Sequence, residues 1–265
     1  MKRYFFVWWK LAQMAFLMQF ANRWSSLGWL GGKIVRFVFF LVFITAIFKH
    51  ISTVAGYNLQ EVALFFLTFN VVDIIAQLFF RGLYMVGRDI REGDMDFYLI
   101  QPLNPLFRIS SNLIDFLDFL TLIPVLILTG ILLPKLLGPL SNLELFLHIL
   151  LYLCLCLNGV IIAFSIHVLI ASLTVRTQQM ETTIWLYRDV VSLGRFPVDV
   201  YSEGLRFFLT FGFPIAVMVS YPSKALIGIL SLEKIIFAFV LAFFLSILSH
   251  RVWKASLKHY CSVSS

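Results

Sequence analysis

The chain has 265 residues, of which 60% are hydrophobic and 13% are charged, and its formal net charge at pH 7 is +7. Soluble domains are about half apolar, so this composition, together with several apolar runs of about 18 residues or more, predicts an integral membrane protein. The basic residues follow the borders of these runs, which is typical of contact with anionic lipid and argues against a nucleic-acid partner. Residues 1–265 are expected to form one all-α transmembrane domain.

The N-terminal residues 1–27 combine basic and aromatic side chains. On a helix Lys2, Arg3, Lys10 and Gln13 share one side, and Phe, Trp, Leu and Met cover the rest. A signal peptide is the competing interpretation, but polar residues interrupt the apolar run and no small-residue cleavage site follows. We therefore expect a helix that lies in the membrane interface, with its basic side toward the lipid head groups.

Apolar runs predict six transmembrane helices. The predicted spans are Leu30–Phe48, Val62–Val86, Leu106–Leu133, Leu145–Leu173, Gln178–Leu193 and Ile235–Arg251. With six spans and both termini in the cytoplasm, most basic residues near span ends fall on the cytoplasmic side, as the positive-inside rule requires.

A seventh apolar stretch, Leu205–Val219, lies within residues 197–222 and is interrupted by Gly212 and Pro214. Proline removes a helical hydrogen bond, and about 15 residues are too few for an ordinary span. We expect a re-entrant pair of short helices that enters from the outer face, where protein can bury the broken backbone. The alternative is a tilted seventh span, which would put the basic C-terminal tail opposite the N-terminus.

Polar residues recur at helical spacing inside the predicted spans. They are Asn70, Asp73, Gln77, Arg81, Tyr84 and Arg88 on the second span, Arg108, Ser111, Asp115 and Asp118 on the third, and Glu181 and Arg188 on the fifth. Each ionisable group inside a bilayer costs about 2.5–3.5 kcal/mol on insertion scales, so such groups usually face protein or water. Two interpretations remain open. These faces line a transport path or a subunit interface, or they only join helices, for instance by pairing of Asp115 and Asp118 with Arg81, Arg88 or Arg91.

The sequence carries no motif for catalysis or metal binding. The patterns G-x-x-x-x-G-K-[ST], H-E-x-x-H and G-x-S-x-G are absent, and Cys154, Cys156 and Cys261 form neither a disulfide framework nor a metal-ligand pattern. No catalytic residue, metal or cofactor is therefore expected in this chain. By elimination it is a transporter or channel subunit, or a membrane partner of another protein.

One segment between the second and third predicted spans concentrates charge. Six of the nine residues 88–96 are ionised, and residues 88–105 also hold two aromatic residues and two prolines. The six-span topology puts this segment on the cytoplasmic side. It predicts a short structured element that contacts a partner in water, and a solvated charged turn is the simpler alternative.

Residues 88–107, RDIREGDMDFYLIQPLNPLF, resemble the first cytoplasmic loop of ABC-2 type permeases, in the branch with the pattern I-x-x-G-x-[LM]-D-x-x-L-x-x-P-L-N-P. Residues 194–201 and 211–222 resemble the extracellular segment before the last span of that branch. The resemblance extends over essentially the whole chain. One departure is Gln101, where arginine is the most frequent residue in the family.

The resemblance implies the membrane-spanning permease of an ATP-driven exporter in a bacterial inner membrane, with an amphipathic or hydrophobic substrate. Its partners would be separate ATP-binding subunits, which hold ATP and Mg, and a second permease chain, identical or paralogous. Residues 88–105 would form a coupling helix docked on the ATPase. Its docking charges would be Arg88, Asp89, Arg91, Glu92, Asp94 and Asp96, with Gly93 permitting a tight turn. The alternative functions are an ATP-independent channel or lipid scramblase, or a membrane scaffold.

Overall fold

The computed structural model describes residues 2–138, 141–177 and 181–261, and of residues 181 and 182 only the backbone. Over these ranges the chain is helical and forms no β-sheet, which confirms the all-α prediction. The α-helices are α1 (Lys2–Ala21), α2 (Arg23–Ile47), α3 (Leu59–Phe80), α4 (Val86–Arg91), α5 (Asp94–Ile100), α6 (Pro105–Ser110), α7 (Phe116–Leu137), α8 (Asn142–Thr177), α9 (Glu181–Val191), α10 (Glu203–Phe207), α11 (Tyr221–Leu226) and α12 (Leu232–Leu257).

Five helical segments in the described ranges are long and apolar enough to cross a membrane. They are α2, Leu59–Arg91, α7, α8 and α12. Leu59–Arg91 joins α3 and α4 through the 3-10 turn Arg81–Met85 into one rod of 33 residues. Several observed helices are longer than the apolar runs from which the spans were predicted. A helix continues past the end of an apolar run as long as its backbone hydrogen bonds continue.

The first and third spans begin at different residues from those predicted. The N-terminal helix, for which an interfacial helix over residues 1–27 is predicted, ends at Ala21. Asn22 leaves helical geometry, and its side chain accepts a hydrogen bond from Ser25 N to start α2. The predicted third span from Leu106 is wrong in its first ten residues. Asn104 caps the separate short helix α6, and Asp115 caps α7 by accepting from Leu117 N at 3.0 Å. Two N-caps in sequence require two helices.

The predicted span Gln178–Leu193 is the largest difference. Its described part is the 11-residue α9, followed by the 3-10 turn Ser192–Arg195, and residues 178–180 lie outside the described ranges. Eleven residues rise about 17 Å, short of a hydrocarbon layer of about 30 Å. The count of six spans is therefore not confirmed: the described residues contain five candidates, or six if a bent helix pair at 203–226 is one span.

That bent pair coincides with the predicted break. A π-helical turn ends at Gly212, the next begins at Ala216, and the helix axis bends by 83° between them, with Pro214 inside the break. The second arm packs tightly on α8, where a Cβ atom on Gly159 would lie 2.5 Å from Met218 O. Only glycine allows this approach. The second arm is therefore buried against α8, whereas Gly212 at the break itself is exposed.

The two ends of the bundle differ in what they hold. We call the end with residues 88–105 the loop end and the opposite one the far end. Trp253 near the end of α12 packs with Ile90 and Met95 at the loop end, and α1 reaches the same end, where the Tyr4 and Phe107 rings lie 4.9 Å apart. The described parts of both chain termini therefore lie at the loop end.

Candidate functional site

The charged loop is folded into two short helices. α4 ends at Arg91, Gly93 turns the chain with φ of +81°, and α5 begins at Asp94. A Cβ atom at Gly93 would have no neighbour within 4 Å, so the left-handed backbone, not lack of space, favours glycine here. The sequence anticipated this turn at Gly93.

The inner face of the loop is fixed to the bundle. Ile90, Met95 and Tyr98 are buried in one cluster with Val168 of α8 and Trp253 of α12. Two long helices, α8 and α12, therefore meet the loop in this cluster.

Hydrogen bonds add to this packing at two places. Asn112 Nδ2 donates to Tyr98 OH at 2.8 Å, and Tyr260 OH, in the C-terminal tail, donates to Asp96 Oδ1 at 2.9 Å. Burial and the adjacent carboxylate raise the pKa of Tyr260 to about 12. The phenol therefore remains a donor at physiological pH, and it ties the tail to α5.

The outer face of the loop carries mixed charge and apolar side chains. Arg88, Arg91 and Glu92 are exposed, as are Phe97 at 62% and Ile100 at 79%. The remaining predicted docking residues are less available: Gly93, Asp94 and Asp96 are half-buried and Asp89 is 0% exposed. Asp89 Oδ1 accepts from Arg88 Nη2 at 3.3 Å. Asp89 therefore cannot contact a partner directly in this conformation.

A second group of charges lies deeper, where α1, α2, α3 and α7 approach one another. We call it the inner ion cluster; its members are Gln19, Lys33, Arg81, Asp115 and Asp118. Lys33 Nζ lies 2.9 Å from Asp115 Oδ2 and 2.6 Å from Asp118 Oδ1, and Arg81 pairs with Asp115. Gln19 Nε2 donates to Asp115 Oδ1 at 2.7 Å. Two cations face two buried carboxylates, so the cluster is balanced.

A third group lies between α3, α8 and α9. Gln77 Nε2 donates to Asp73 Oδ2 at 2.8 Å, and Gln77 Oε1 accepts from Arg188 Nη1 at 2.9 Å. Tyr84 OH is 2.8 Å from His167 Nε2, and the Arg188 guanidinium lies 5.7 Å from the Tyr84 ring centre. Asp73, Tyr84, His167 and Arg188 line a cavity of about 10 Å³, room for about one water molecule.

A fourth group stands at the far end, beside the bent pair. Lys224 Nζ lies 2.7 Å from Asp199 Oδ2, and Tyr57 OH donates to the same oxygen at 3.0 Å. Burial opposes ionisation, but the hydrogen bond and charge of Lys224 dominate and lower the pKa of Asp199 below its usual range. This contact joins the loop before the bent pair to its second arm.

The structure divides the predicted polar residues into separate groups. Asp73, Gln77 and Arg188 meet in one network, whereas Asp115 and Asp118 belong to the inner ion cluster. Asn70 donates to Phe66 O within its own helix at 2.7 Å. The predicted shared face of Arg108 and Ser111 with Asp115 is wrong because α6 and α7 are separate helices. The side chain of Glu181 lies outside the described residues.

Several contacting residues were missed by the sequence analysis. Gln19 and Lys33 complete the inner ion cluster, and Arg195 lies 5.6 and 5.5 Å from the Phe40 and Phe69 rings. Lys33 carried a usable signal, because it is a charge inside a long apolar run. Gln19 carried none, since its partner is 96 positions away.

Comparison with known proteins gives the family. A search of curated protein sequences found no match. A family model described as ABC-2 family transporter protein matches residues 34–264. The match includes all five candidate spans wholly or in part, as well as the loop and the bent pair. The chain is therefore a multi-pass membrane protein that belongs to the ABC-2 transporter family.

Proposed function

We propose that this chain is the membrane-spanning permease subunit of an ATP-driven exporter and that residues 88–105 are its coupling element. The supporting observation is the two-sided construction of the loop. Its inner face is packed on α8 and α12 through Met95 and Trp253, and its outer face presents exposed charged and apolar side chains. A solvated turn would need neither a buried inner face nor exposed apolar side chains on its outer face.

The mixed charge on the outer face fits a protein partner in water. Complementary charges at an interface fix orientation and register more than they add affinity, while the exposed Phe97 and Ile100 supply apolar area. A partner that closes on ATP would push on the outer face. The buried inner face would then carry that displacement to α8 and α12, which line the core of the bundle.

The proposed topology puts the loop end in the cytoplasm of a bacterial inner membrane. Two observations favour it: the described ends of the chain meet at the loop end, and basic residues accumulate there, as the positive-inside rule requires. The bent pair would then enter from the outer face as a re-entrant segment. The short α9 with its 3-10 turn would complete the return toward the far end, between α8 and the bent pair.

The proposed complex has two further components. ATP and Mg would be bound by separate ATP-binding subunits, and a second permease, identical or paralogous, would complete the path for an amphipathic or hydrophobic substrate. Apolar residues exposed on α2, such as Val35, Phe39 and Val42, would contact lipid or this second chain. No group of three or more metal-ligating side chains occurs among the described residues.

Capture of the ATP-binding subunit tests the proposal. The full chain is co-expressed with each candidate ATP-binding subunit of the same genome and purified in mild detergent. Arg91→Glu combined with Glu92→Arg keeps the net charge but inverts its pattern, so we expect at least a tenfold loss of captured ATPase. Lys49→Glu, an exposed charge at the far end, is the matched control and should leave capture unchanged.

Two outcomes would contradict the proposal. Unchanged capture with the double reversal would remove the coupling role of the loop. ATP-independent transport by the purified chain alone in vesicles would favour the channel or scramblase instead. A combination of Phe97→Ala and Ile100→Ala gives a second measure, because it removes exposed apolar area without touching the buried anchors.

A further inference from the structure

Three arginines have no acidic partner among the described residues. Arg36 is an exposed residue of α2, Arg188 belongs to α9, and Arg195 to the 3-10 turn that follows it. None of the three forms an ion pair with a carboxylate of the described residues. We call them the cationic face.

The three arginines approach the same space from two helices. Arg36 and Phe40 are one turn apart on α2, and the Arg195 guanidinium lies 5.6 Å from the Phe40 ring centre. Arg36 and Arg195 are near enough for their charges to repel each other. Arg188 and Arg195 follow one another along α9 and its 3-10 turn, on the side that meets α3.

The charges of this region do not balance. Asp115 and Asp118 are already occupied by Lys33 and Arg81. The remaining nearby carboxylates among the described side chains are Asp73, whose Oδ2 accepts from Gln77 at 2.8 Å instead of meeting a guanidinium, and Asp189, which follows Arg188 on α9 and is exposed. Among the described side chains, three cations against two carboxylates leave an excess of one positive charge. An uncompensated cation at membrane depth is costly, and a ring of arginines without carboxylates is how anion pathways are lined.

The surroundings of the cationic face are aromatic. Arg195 lies on the rings of Phe40 and Phe69, and Arg188 on that of Tyr84. Trp185 stacks on Tyr84 with ring centres 6.4 Å apart and is 56% exposed. A small hydrated anion would gain nothing from these rings. A molecule with an acidic head and an apolar tail would satisfy the guanidinium groups and the aromatic surface together.

We propose that the cationic face binds the acidic head group of an amphipathic substrate on its way across the membrane. This inference rests on the proposed exporter function and narrows its substrate class to amphipathic anions. Gln77 holds Arg188 toward Tyr84, and Arg36 is the exposed member that meets the head group from α2. Substrate binding neutralises the excess charge.

Binding to the purified full chain tests the inference without ATP or an ATP-binding subunit. The chain is placed in nanodiscs of zwitterionic phosphatidylcholine and titrated with a fluorescent C12 fatty acid and with its methyl ester, which share one tail and differ in charge. We expect the acid to bind about tenfold more tightly, the ratio that one charge-assisted hydrogen bond of about 1.4 kcal/mol gives. Arg36→Gln, Arg188→Gln and Arg195→Gln should each reduce that ratio severalfold.

Matched variants separate charge from structure. Arg188→Lys keeps the charge and should retain most of the preference for the acid. Arg206→Gln removes an exposed far-end arginine that donates to backbone carbonyls and should leave the preference unchanged. If Arg188→Gln fails to fold, the Arg36→Gln variant tests the inference instead. Arg36 is exposed, and its replacement breaks no ion pair among the described residues.

Three results would overturn the inference. These are equal affinity of the wild type for acid and ester, an undiminished preference in the triple glutamine variant, and displacement of the acid by inorganic phosphate as effective as by unlabelled dodecanoate. The last result would mean that the tail is irrelevant. Loss of the charge preference in the nanodisc titration, with intact ATPase capture in the co-expression experiment, would refute only this inference. Loss of capture with an intact charge preference would refute only the coupling role.

Discussion

The inner ion cluster and the cationic face hold similar residues in opposite arrangements. In the cluster, Lys33 and Arg81 meet Asp115 and Asp118 directly. On the cationic face, Arg36 and Arg188 have no carboxylate partner among the described residues. The two regions share α2, where Lys33 and Arg36 are three positions apart. Direct pairing neutralises the charges of the inner ion cluster, so that the cluster holds helices together. The excess of positive charge on the cationic face leaves that face able to bind an anionic ligand.

The largest expected effect on stability comes from disrupting the inner ion cluster. Asp115→Asn removes a carboxylate that Gln19, Lys33 and Arg81 share but keeps an oxygen to cap α7. Removing one partner of a buried pair leaves an uncompensated charge and costs about 3–5 kcal/mol. Denaturant unfolding in detergent, followed by tryptophan fluorescence, should show this loss. Asp73→Asn is the matched control, expected below about 1.5 kcal/mol, and equal losses would contradict the contrast between the two regions.

A smaller effect is expected at the far-end pair, which combines a direct contact with partial exposure. Asp199→Asn should cost about 1 kcal/mol at neutral pH, because hydrogen bonds to a charged group contribute about 1.5–3 kcal/mol and exposure reduces this. The pKa of Asp199 is lowered in the folded state. Its contribution is therefore fully present above the unfolded pKa of about 3.9 and is lost as pH falls from that value through the lower pKa of the folded state.

Unfolding of the wild type and of Asp199→Asn between pH 7 and pH 3 measures this. The two curves should differ at neutral pH and converge at the acid limit. A difference that grows toward low pH would contradict the lowered pKa. Glu203→Gln, an exposed carboxylate nearby, is the control and should show no such convergence.

The smallest effect on stability is expected from a substitution on the cationic face. Arg36→Gln should change the free energy of unfolding by no more than about 0.5 kcal/mol, since an exposed side chain without an ion pair contributes little. Lys33→Gln, three residues earlier on the same helix, should cost about 3 kcal/mol because it leaves two buried carboxylates to Arg81 alone. Thermal unfolding in nanodiscs compares the two. A costly Arg36→Gln would show that this arginine has a structural role.

The spans were predicted best where composition alone decides. α2, α8 and α12 overlap the predicted apolar runs, since about 20 apolar residues have no other low-energy location than lipid. Their ends were predicted less well, because capping residues and not apolar content set them. Asp115 was predicted to lie on the polar face of one continuous third span, but its side chain is the N-cap of α7. A carboxylate at an N-cap and one in mid-helix look alike in a sequence.

The site residues divide in the same way. Tyr84, Gln77 and Arg188 were identified as polar positions within spans, and their burial cost makes such residues stand out. Their partners were not predictable, because Arg188 reaches Gln77 across 111 positions. Helical spacing orders the residues of one helix relative to each other, but it does not say which helix comes next to that face.

The sequence by itself determined that this chain is a helical membrane protein, where most of its spans lie, and that residues 88–105 are a distinct polar element. Those properties follow from local composition and from the cost of polar groups in lipid. Only the tertiary structure decided that Asp89 is buried, that the inner ion cluster is balanced, and that Arg36, Arg188 and Arg195 carry an excess of positive charge. Pairing and burial depend on contacts between distant segments, which the packing of the helices alone determines.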